Sequence, residues 1–564
     1  MIRNIAKRNQ LLRSLARRYR YYKNRPDWRA IIGGNQMLWK SALKEAESGQ
    51  KILIATCVGS HLAMASVESM IAAALTLRGA DVHFLLCDGV LPACLGCWTD
   101  IYADHKKFAE TGPGKDCDDC FKSAINMLKP LGLTFHRFSD YLSEDEIGLA
   151  DKISSTLPYD EIRSYTYNDM AIGEHALAGA LRFFARGDLQ EEEFGEQILR
   201  RYFNASLRTT FATQNLIKKQ PFNVSLFNHG IYVPHGLIGE VCRKNGVHVI
   251  NWNPAYRKKC FIFSHHETYH HTMMTESIAS WETVNWNERL EADLFNYLKS
   301  RWEGTNDWIW FHEKPKFDLE DIKSRTGIDF TKPCIGLLTS VMWDAVLHYP
   351  SNAFSNMLEW VNFTIEYFLN RPEIQLIIRI HPAELRGNIP SRQRIADEIQ
   401  RRYPNLPNNI IVIPPESDIS TYAMMMECDS VIIYNTKTGV ELAAMGIPII
   451  VAGEAWIRNK GFAIDVNNPD EYTAILDRLP LNQRLNGDGI EKAKKYAYHF
   501  FFRRMIPLSF MKLAAGNPPF TLAVSEITEL LEGCDAGLDV IANGILNRTD
   551  FILKAENKCL KQEI

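Results

Sequence analysis

Hydrophobic and polar positions alternate in well-defined blocks between residues 431 and 451. An apolar run opens the segment at Val431–Tyr434, and a second run closes it at Ile447–Val451. Between them lie a polar turn, residues 435–439, and a short helical pattern that ends at the capping residue Gly446. Short apolar runs bounded by turn residues are typical of buried strands, so this segment predicts one βαβ unit of a parallel sheet.

Similar apolar runs are spread through both halves of the chain and are separated by helical patterns. Strands are predicted at residues 51–56, 82–86, 224–228 and 247–251, and then at 335–339, 374–380, 410–413, 431–434 and 447–451. Strands that alternate with helices predict an α/β protein with doubly wound sheets. A late helical pattern can cross back to the first half. The predicted architecture is therefore GT-B-like: two Rossmann-like domains facing across a cleft, a crossing C-terminal helix and a helical tail.

The pattern of strands and helices also predicts the domain boundaries. We expect a basic helical leader at 1–45, an N-terminal Rossmann-like domain at 46–330, a C-terminal Rossmann-like domain at 331–490, and the crossing helix with its tail at 491–564. The N-terminal domain would include a cysteine-rich loop at 87–120 and a helical insertion. Ligands of such sheets bind at the carboxyl ends of the strands, between the domains.

The turn before the short helix carries side chains that suit a phosphate or diphosphate. Thr436 and Thr438 supply hydroxyl groups, Lys437 supplies charge, and Gly439 would let a ligand approach the backbone. Glu441, one turn along, could accept hydrogen bonds from a ribose. The alternative is an ordinary helix start, capped by Thr438 and with Glu441 interacting with the helix dipole.

A second candidate donor feature ends the predicted strand at 374–380. Arg379 and His381 precede Pro382, which stops the strand, and a cation beside an imidazole donor suits a leaving diphosphate. The alternative is an arginine in a surface ion pair and a histidine packed under a loop. Because both features fall at adjacent predicted strand ends of one sheet, together they favour a nucleotide-diphosphate site.

Two residues at other strand ends are candidate general bases. His229 follows the strand at 224–228, and Asp344 follows the strand at 335–339. Either residue could accept the proton of a sugar hydroxyl. The His-rich stretch at 264–271 lacks the paired histidines of a zinc protease helix, so we interpret it as polar packing or acceptor binding.

Four cysteines have the spacing of a structural metal site. Cys94, Cys97, Cys117 and Cys120 form two C-x2-C pairs separated by 19 residues. This spacing predicts a tetrahedral Zn²⁺ centre, and its position suggests that the metal would brace a loop beside the cleft. An iron–sulfur cluster and two reduced pairs are the alternatives.

Composition narrows the class of partner. The formal net charge of −3 gives no indication of nucleic-acid binding, no apolar stretch is long enough to cross a membrane, and 12 cysteines in 564 residues are consistent with a reducing cytoplasm. Residues 1–25 contain nine Lys and Arg residues and no acid. They predict a basic amphipathic helix, which would either lie on the anionic inner face of a membrane or remain solvated.

Taken together, the C-terminal motifs resemble a known family. Arg379-Ile-His-Pro382, Asn435-Thr-Lys-Thr-Gly-Val-Glu441 and Gly446-Ile-Pro448 are similar to motifs of bacterial capsular-polysaccharide glycosyltransferases, which include the Kdo transferases of capsule assembly. The resemblance covers about 120 residues, from Ile335 to Gly461, and the N-terminal half matches in architecture alone.

The resemblance implies a GT-B fold and a nucleotide-sugar donor held on the C-terminal domain by Arg379, His381, Thr438 and Glu441. A saccharide or glycolipid acceptor would bind the N-terminal domain. One alternative is a sugar-nucleotide epimerase or hydrolase, although epimerases of this fold carry a glycine-rich turn that is absent at 437–441. The other is a non-catalytic, metal-stapled scaffold of a capsule assembly complex.

Overall fold

The apolar runs of the N-terminal half form one sheet in the computed structural model, which describes residues 19, 21–304, 307, 315–347, 350–514 and 519–557. Its strand order is β13-β6-β5-β4-β1-β2-β3. The strands are β1 (Lys51–Cys57), β2 (Asp81–Leu86), β3 (Thr134–Arg137), β4 (Val224–Asn228), β5 (His248–Pro254), β6 (Cys260–His265) and β13 (Ile506–Pro507).

Helices cover this sheet and continue beyond it. They are α1 (Trp28–Gly33), α2 (Gln36–Ala46), α3 (Leu62–Thr76), α4 (His105–Thr111), α5 (Asp116–Leu128), α6 (Glu144–Thr156), α7 (Ile172–Phe184), α8 (Gly195–Lys219), α9 (His235–Lys244), α10 (Ala279–Glu282), α11 (Glu288–Trp302) and α12 (Leu319–Thr326). Strand β1 is buried on both faces, which explains why its apolar run does not alternate with polar residues.

A second, fully parallel sheet forms from the C-terminal half, with the order β12-β11-β10-β7-β8-β9. Its strands are β7 (Cys334–Leu338), β8 (Gln375–Arg379), β9 (Ile410–Ile413), β10 (Ser430–Ile433), β11 (Ile449–Val451) and β12 (Ile464–Asp465). The five predicted strands are thus present, and β12 adds a short edge strand.

The remaining helices alternate with these strands or follow them. They are α13 (Met357–Leu369), α14 (Ala383–Arg386), α15 (Ile395–Arg402), α16 (Thr421–Glu427), α17 (Thr438–Ala444), α18 (Pro469–Leu476), α19 (Gly487–Tyr498) and α20 (Ala536–Asn547). Helix α19 continues as one π-helical stretch, His499–Arg504. A hairpin, β14 (Met511–Leu513) and β15 (Phe520–Leu522), precedes α20.

The C-terminal segment crosses back to the first sheet. Strand β13 pairs antiparallel with β6, and the Arg504 guanidinium donates to the carbonyl of Phe263 at 2.9 and 3.0 Å. Further on, Asp539 of α20 forms an ion pair with Arg78 at 2.6 Å. The predicted fold class is therefore confirmed: two Rossmann-like domains in the GT-B arrangement, with a crossing helix and a helical tail.

The predicted membrane contact falls outside this description. Of the basic leader at 1–45, residues 1–18 and 20 are not among the described residues, so the association of residues 1–25 with an anionic membrane stays a prediction. Within the described part of the chain, no helix is long and apolar enough to span a bilayer.

Close packing between α7 and α8 depends on one glycine. A Cβ added to Gly179 would lie 2.4 Å from Cδ1 of Tyr202, whose ring is buried. We expect Gly179→Ala to destabilise the protein by roughly 1–3 kcal/mol through overpacking. Gly148→Ala in α6 is the matched control, because nothing lies within 4 Å of its added Cβ. Its better helix propensity should stabilise the protein by up to about 1 kcal/mol. Thermal unfolding of both variants distinguishes the two effects, and shifts of the same sign would contradict the packing argument.

Candidate functional site

Two strands of the second sheet, β10 and β8, carry the predicted donor motifs at their carboxyl ends, and β7 lies between them. The order β10-β7-β8 places the 435–439 turn and His381 on either side of β7. The main-chain N–H of His381 donates to Thr339 Oγ1 at 3.1 Å, and the hydroxyl of Ser340 donates to Asn435 Oδ1. The two motifs are therefore not on adjacent strands, as the sequence predicted, but are connected by two residues that follow β7.

Helix α17 begins at Thr438, two residues earlier than the hydrophobic pattern predicted. The N–H of Thr438 donates to Thr436 Oγ1 at 3.4 Å, so Thr436 partly caps the helix. A Cβ on Gly439 would lie 2.6 Å from Cδ1 of Ile433. Close packing of the helix on β10 therefore explains this glycine without a ligand.

Lys437 and Glu441 form a charge network beneath the turn. The Lys437 ammonium lies 3.1 Å from Glu441 Oε1 and 4.4 Å from the ring centre of Tyr256. Arg301 donates to both oxygens of Glu441, at 3.1 and 3.2 Å, and the Tyr422 hydroxyl donates to it at 2.7 Å. Every carboxylate oxygen of Glu441 thus has a protein donor.

The charges of this network shift the pKa values of Glu441 and Lys437. Burial raises the pKa of Glu441, but the cations of Arg301 and Lys437 outweigh burial and bring it to about 2. Burial and the charge of Arg301 lower the pKa of Lys437. Glu441 is 0 % exposed, so the ribose contact predicted for it would require displacement of these donors. The position instead suits a residue that holds Lys437 against the turn.

Arg379 also makes protein contacts where the sequence predicted a phosphate contact. Its side chain is 2 % exposed and donates to the Ser417 carbonyl at 3.1 Å and to Thr421 Oγ1 at 3.2 Å. Burial lowers the pKa of Arg379 to about 10. As the last residue of β8, it holds the loop between β9 and α16. Direct contact with a diphosphate would require that loop to release it.

His381 is half-buried, and its ring orientation is set by the backbone. Its Nδ1 accepts a hydrogen bond from the N–H of Ala383 at 3.0 Å, which places the ring proton on Nε2. A neutral imidazole of this tautomer can donate a hydrogen bond to an anionic ligand.

The two candidate bases come together through a tyrosine. The His229 ring stacks between Tyr232 and Tyr269, with ring centres 4.8 and 4.7 Å away. The Tyr232 hydroxyl donates to Asp344 Oδ1 at 2.6 Å and accepts from the N–H of Ala345 at 2.7 Å. His229 follows the first sheet and Asp344 follows β7, so the carboxyl edges of both sheets meet here.

The environment keeps His229 neutral. Its backbone is left-handed, with φ of 67°, and none of the described residues hydrogen-bonds to its Nδ1. Burial lowers the pKa of His229 well below its usual range, and nearby His270 and Arg182 lower it further. Burial raises the pKa of Tyr232 well above its usual range, so its hydroxyl stays protonated and donates to Asp344. The Nδ1 atom is therefore unprotonated and without a protein partner among the described residues, and the burial and cations that lower the pKa of His229 also weaken it as a base.

Aromatic side chains join this pair to the donor turn. Tyr256, which faces Lys437, shares a hydrogen bond with Tyr269, which stacks on His229. Trp456 packs edge-on against both tyrosines, at 6.0 and 5.8 Å. We call the resulting continuous group the cleft cluster; its members are His229, Tyr232, Tyr256, Tyr269, Asp344 and Lys437.

Sequence reasoning missed the three tyrosines and Arg301. Tyr232 lies three residues after His229, and Tyr269 belongs to the His-rich stretch at 264–271, so proximity along the chain was an available signal for both. No such signal exists for Arg301, which is 140 residues from Glu441. The His-rich stretch itself divides: Tyr269 lies in the cleft cluster, whereas His265 pairs with His248 at the opposite end of the sheet.

The cysteines converge on the carboxyl edge of the first sheet. The thiol of Cys94 shares a hydrogen bond with Cys97, and Cys120 Sγ accepts from the N–H of Ser60 at 3.2 Å. Cys57 ends β1, and its carbonyl accepts from the N–H of Cys87 at 3.1 Å. Cys57 and Cys87 were not part of the four-cysteine motif predicted from the sequence. Cys117 lies on the first turn of α5. Its Cβ would be 3.4 Å from a Cβ added to Gly89, so the loop after β2 passes close to this cysteine.

The zinc prediction is not supported by this arrangement. Among the described residues, no group of three or more His, Cys, Asp or Glu side chains is placed to hold a metal ion. Burial raises the pKa of the Cys57 thiol, and the Cys97 hydrogen bond together with burial raises that of Cys94. Both shifts describe the thiols without a bound metal, and a bound metal would itself deprotonate them. No disulfide joins these cysteines among the described residues.

The chain was compared with protein families, curated proteins and solved structures. No protein-family profile matches the sequence, and no curated protein matches it. Solved structures that match include KpsC of Thermosulfurimonas dismutans, a β-Kdo 2,4 transferase. It is 10% identical, the match covers 55% of this chain and 88% of that one, and the TM-score is 0.33.

A second KpsC structure from the same organism, a β-Kdo 2,7 transferase, is 12% identical over 57% of this chain and 88% of that one, with a TM-score of 0.29. The UDP-GlcNAc 2-epimerase of Neisseria meningitidis is 10% identical over 80% of this chain and 99% of that one, with a TM-score of 0.22. The matches thus include capsule Kdo transferases, the family that the C-terminal motifs resemble. The fold assignment itself rests on the strand orders given above.

Proposed function

We propose that this protein is a GT-B glycosyltransferase that moves a sugar from a nucleotide-activated donor to a saccharide or glycolipid acceptor of a surface polysaccharide. The observation that carries the proposal is the cleft cluster. Two candidate bases predicted from different halves of the chain, His229 and Asp344, are bridged by Tyr232, and the donor turn contacts the same cluster through Tyr256.

His229 is the proposed general base. The acceptor hydroxyl oxygen attacks the anomeric carbon of the donor sugar, and its proton passes to Nδ1 of the neutral imidazole. Asp344 holds Tyr232 in place through the 2.6 Å hydrogen bond, and Tyr232 in turn supports one face of the His229 ring. Asp344 is therefore a positioning residue in this proposal.

The donor turn would stabilise the leaving group. When the bond between the anomeric carbon and the phosphate oxygen breaks, negative charge develops on the nucleotide phosphate. Lys437 is the proposed cation, the Nε2–H of His381 a hydrogen-bond donor, and Thr436 and Thr438 additional hydroxyl contacts. Glu441 and Arg379 contribute by holding Lys437 and the neighbouring loop.

Substrate entry would require the two sheets to separate. A cavity beside the cleft cluster, lined in part by Tyr256, Tyr269 and Trp456, measures about 10 Å³. Ligand sites usually measure roughly 300–1,000 Å³. We therefore infer that the contacts across the cleft describe a closed form, from which the two halves open to admit the donor.

Calorimetric titration with CMP, UDP, GDP and CDP tests the donor site. We expect saturable binding of one of these nucleotides and, because a charge-assisted contact is lost, roughly tenfold or greater weakening in Lys437→Gln. Lys512→Gln is the control, since Lys512 is an exposed lysine on the β14 strand. Equal affinity in wild type and Lys437→Gln would contradict the assignment of Lys437. Turnover of the donor without any acceptor would contradict the transferase activity and indicate hydrolysis or epimerisation.

A further inference from the structure

A basic pocket lies at the edge of the first sheet opposite the cleft cluster. It is a cavity of about 160 Å³ whose lining includes Arg243 from the end of α9, His248 from the start of β5, His266 after β6 and Arg548 after α20. The basic pocket lies at the first residue of β5, whereas His229 of the cleft cluster donates its main-chain N–H to Trp252, near the other end of that strand. The two sites share no lining residue, although His266 and Tyr269 are three residues apart in the chain.

The imidazoles of the basic pocket are held in fixed positions. His248 Nε2 lies 2.9 Å from His265 Nδ1, and His265 Nε2 lies 3.0 Å from the carbonyl oxygen of Thr549, to which it donates. The His265 proton is thus on Nε2, so His248 donates to His265 through its own Nε2. The ring of His266 meets His248 edge-on, with centres 4.3 Å apart.

Two of the lining residues have an unfavourable backbone conformation. His266 and Arg548 have φ values of 62° and 57°, the left-handed region where glycine is preferred. Arg548 is the C-cap of α20, a position usually taken by glycine or asparagine. Both residues line the same cavity.

Positive charge in the basic pocket is only partly neutralised. Arg243 pairs with Glu240 at 2.7 Å, whereas no carboxylate among the described residues forms an ion pair with Arg548. Burial together with His266, His265 and Arg548 lowers the pKa of His248 to about 4, and burial with Arg243 and Arg548 lowers that of His266. Burial is the larger cause of both shifts and the neighbouring cations add to it, so both imidazoles are neutral at pH 7.

We propose that the basic pocket binds the phosphate group of a phosphorylated small molecule. Two guanidinium groups and two imidazoles converge on one cavity, and arginine forks match the oxygens of a tetrahedral oxyanion. This site is additional to the proposed glycosyltransferase centre and does not depend on it. A phosphate dianion would supply the negative charge that the basic pocket lacks.

Titration with inorganic phosphate tests the proposal. Isothermal calorimetry of the full chain should show saturable binding, weakened roughly tenfold or more in Arg548→Asn, which loses the charge but tolerates the left-handed backbone. Arg548→Lys should bind with intermediate affinity, because it keeps the charge without the fork. Lys512→Asn, an exposed lysine elsewhere, should bind as wild type does. No saturable heat up to about 10 mM phosphate, or equal binding by wild type and Arg548→Asn, would overturn the proposal.

Sulfate provides a second, independent arm, because it mimics phosphate but does not titrate near neutral pH. If the oxyanion offsets the cations around His248 and His266, binding should raise their pKa values and take up protons. Titrations at pH 6 in two buffers of different ionisation heat measure that uptake. Binding without proton uptake would contradict the part assigned to the imidazoles. The other charged or titratable groups around them are Glu240, Arg243, His265, Arg504, Arg548 and Asp550.

Discussion

His229→Asn is expected to lower sugar-transfer turnover by roughly 10²–10⁴-fold, the usual cost of removing a positioned general base. Asparagine is chosen because it tolerates the left-handed backbone at residue 229, so the loop after β4 should keep its shape. Nucleotide affinity, measured by calorimetry on the same preparation, should stay within about twofold of wild type, because Lys437 and the donor turn are untouched.

The variants Tyr232→Phe and Asp344→Asn test how the base is positioned. Each weakens the hydrogen bond between Tyr232 and Asp344, so turnover should fall less than in His229→Asn. Asp477→Asn is a matched control, because Asp477 accepts a 2.7 Å hydrogen bond from Tyr367 on the exposed surface, far from the cleft cluster. Near-normal turnover in His229→Asn together with a larger loss in Asp344→Asn would reverse the roles and make Asp344 the base.

The C-terminal sheet could be predicted well because its strands are buried on both faces. Each strand reads as a continuous β-branched run, as in Val431–Ile433, and short turns containing Gly or Pro separate the runs from helices. A short apolar run of this kind predicts a buried strand with few alternatives. The residues that follow each strand in the sequence must then lie at the carboxyl edge of the sheet, which is where the donor turn is found.

Three strands of the N-terminal sheet could not be predicted for physical reasons. Strand β3 has the sequence Thr-Phe-His-Arg and lies at a sheet edge, where polar residues are tolerated. Strand β6 lies in an aromatic segment without period-2 alternation, and β13 has two residues and forms only because the chain crosses back. Their pairing depends on contacts distant in sequence, which a local pattern does not contain.

The sequence predicted where the site residues lie along the backbone, but not which groups their side chains contact. His229 and Asp344 were identified because both follow strands of parallel sheets, and the structure joins them through Tyr232. Arg379 and Glu441 were identified by the same rule, yet both side chains are buried and bonded to protein groups. The sequence pattern places a residue at a strand end or helix start, whereas burial depends on partners that arrive from elsewhere.

Glu441→Gln is expected to destabilise the C-terminal domain by about 3–5 kcal/mol at pH 7, because it removes the carboxylate that pairs with Lys437 and leaves Asp307 as the carboxylate paired with Arg301. Thermal or urea unfolding measures this loss. The matched control is Glu491→Gln, which breaks an i,i+4 pair with Lys495 at 2.9 Å on a more exposed helix face. That control should change stability by less than about 1 kcal/mol.

The same variant should also change the acid sensitivity of the fold. Burial opposes ionisation of Glu441, yet Arg301 and Lys437 hold its pKa at about 2 in the folded protein, against 4.5 for an unperturbed glutamate. The ionised carboxylate therefore stabilises the fold fully above pH 4.5, and this contribution is lost as the pH falls toward 2. The difference corresponds to about 3 kcal/mol. The stability gap between wild type and Glu441→Gln should narrow by about 2 kcal/mol between pH 7 and pH 3. A constant gap between the two proteins across that range would mean that the carboxylate charge is not what holds the turn in place.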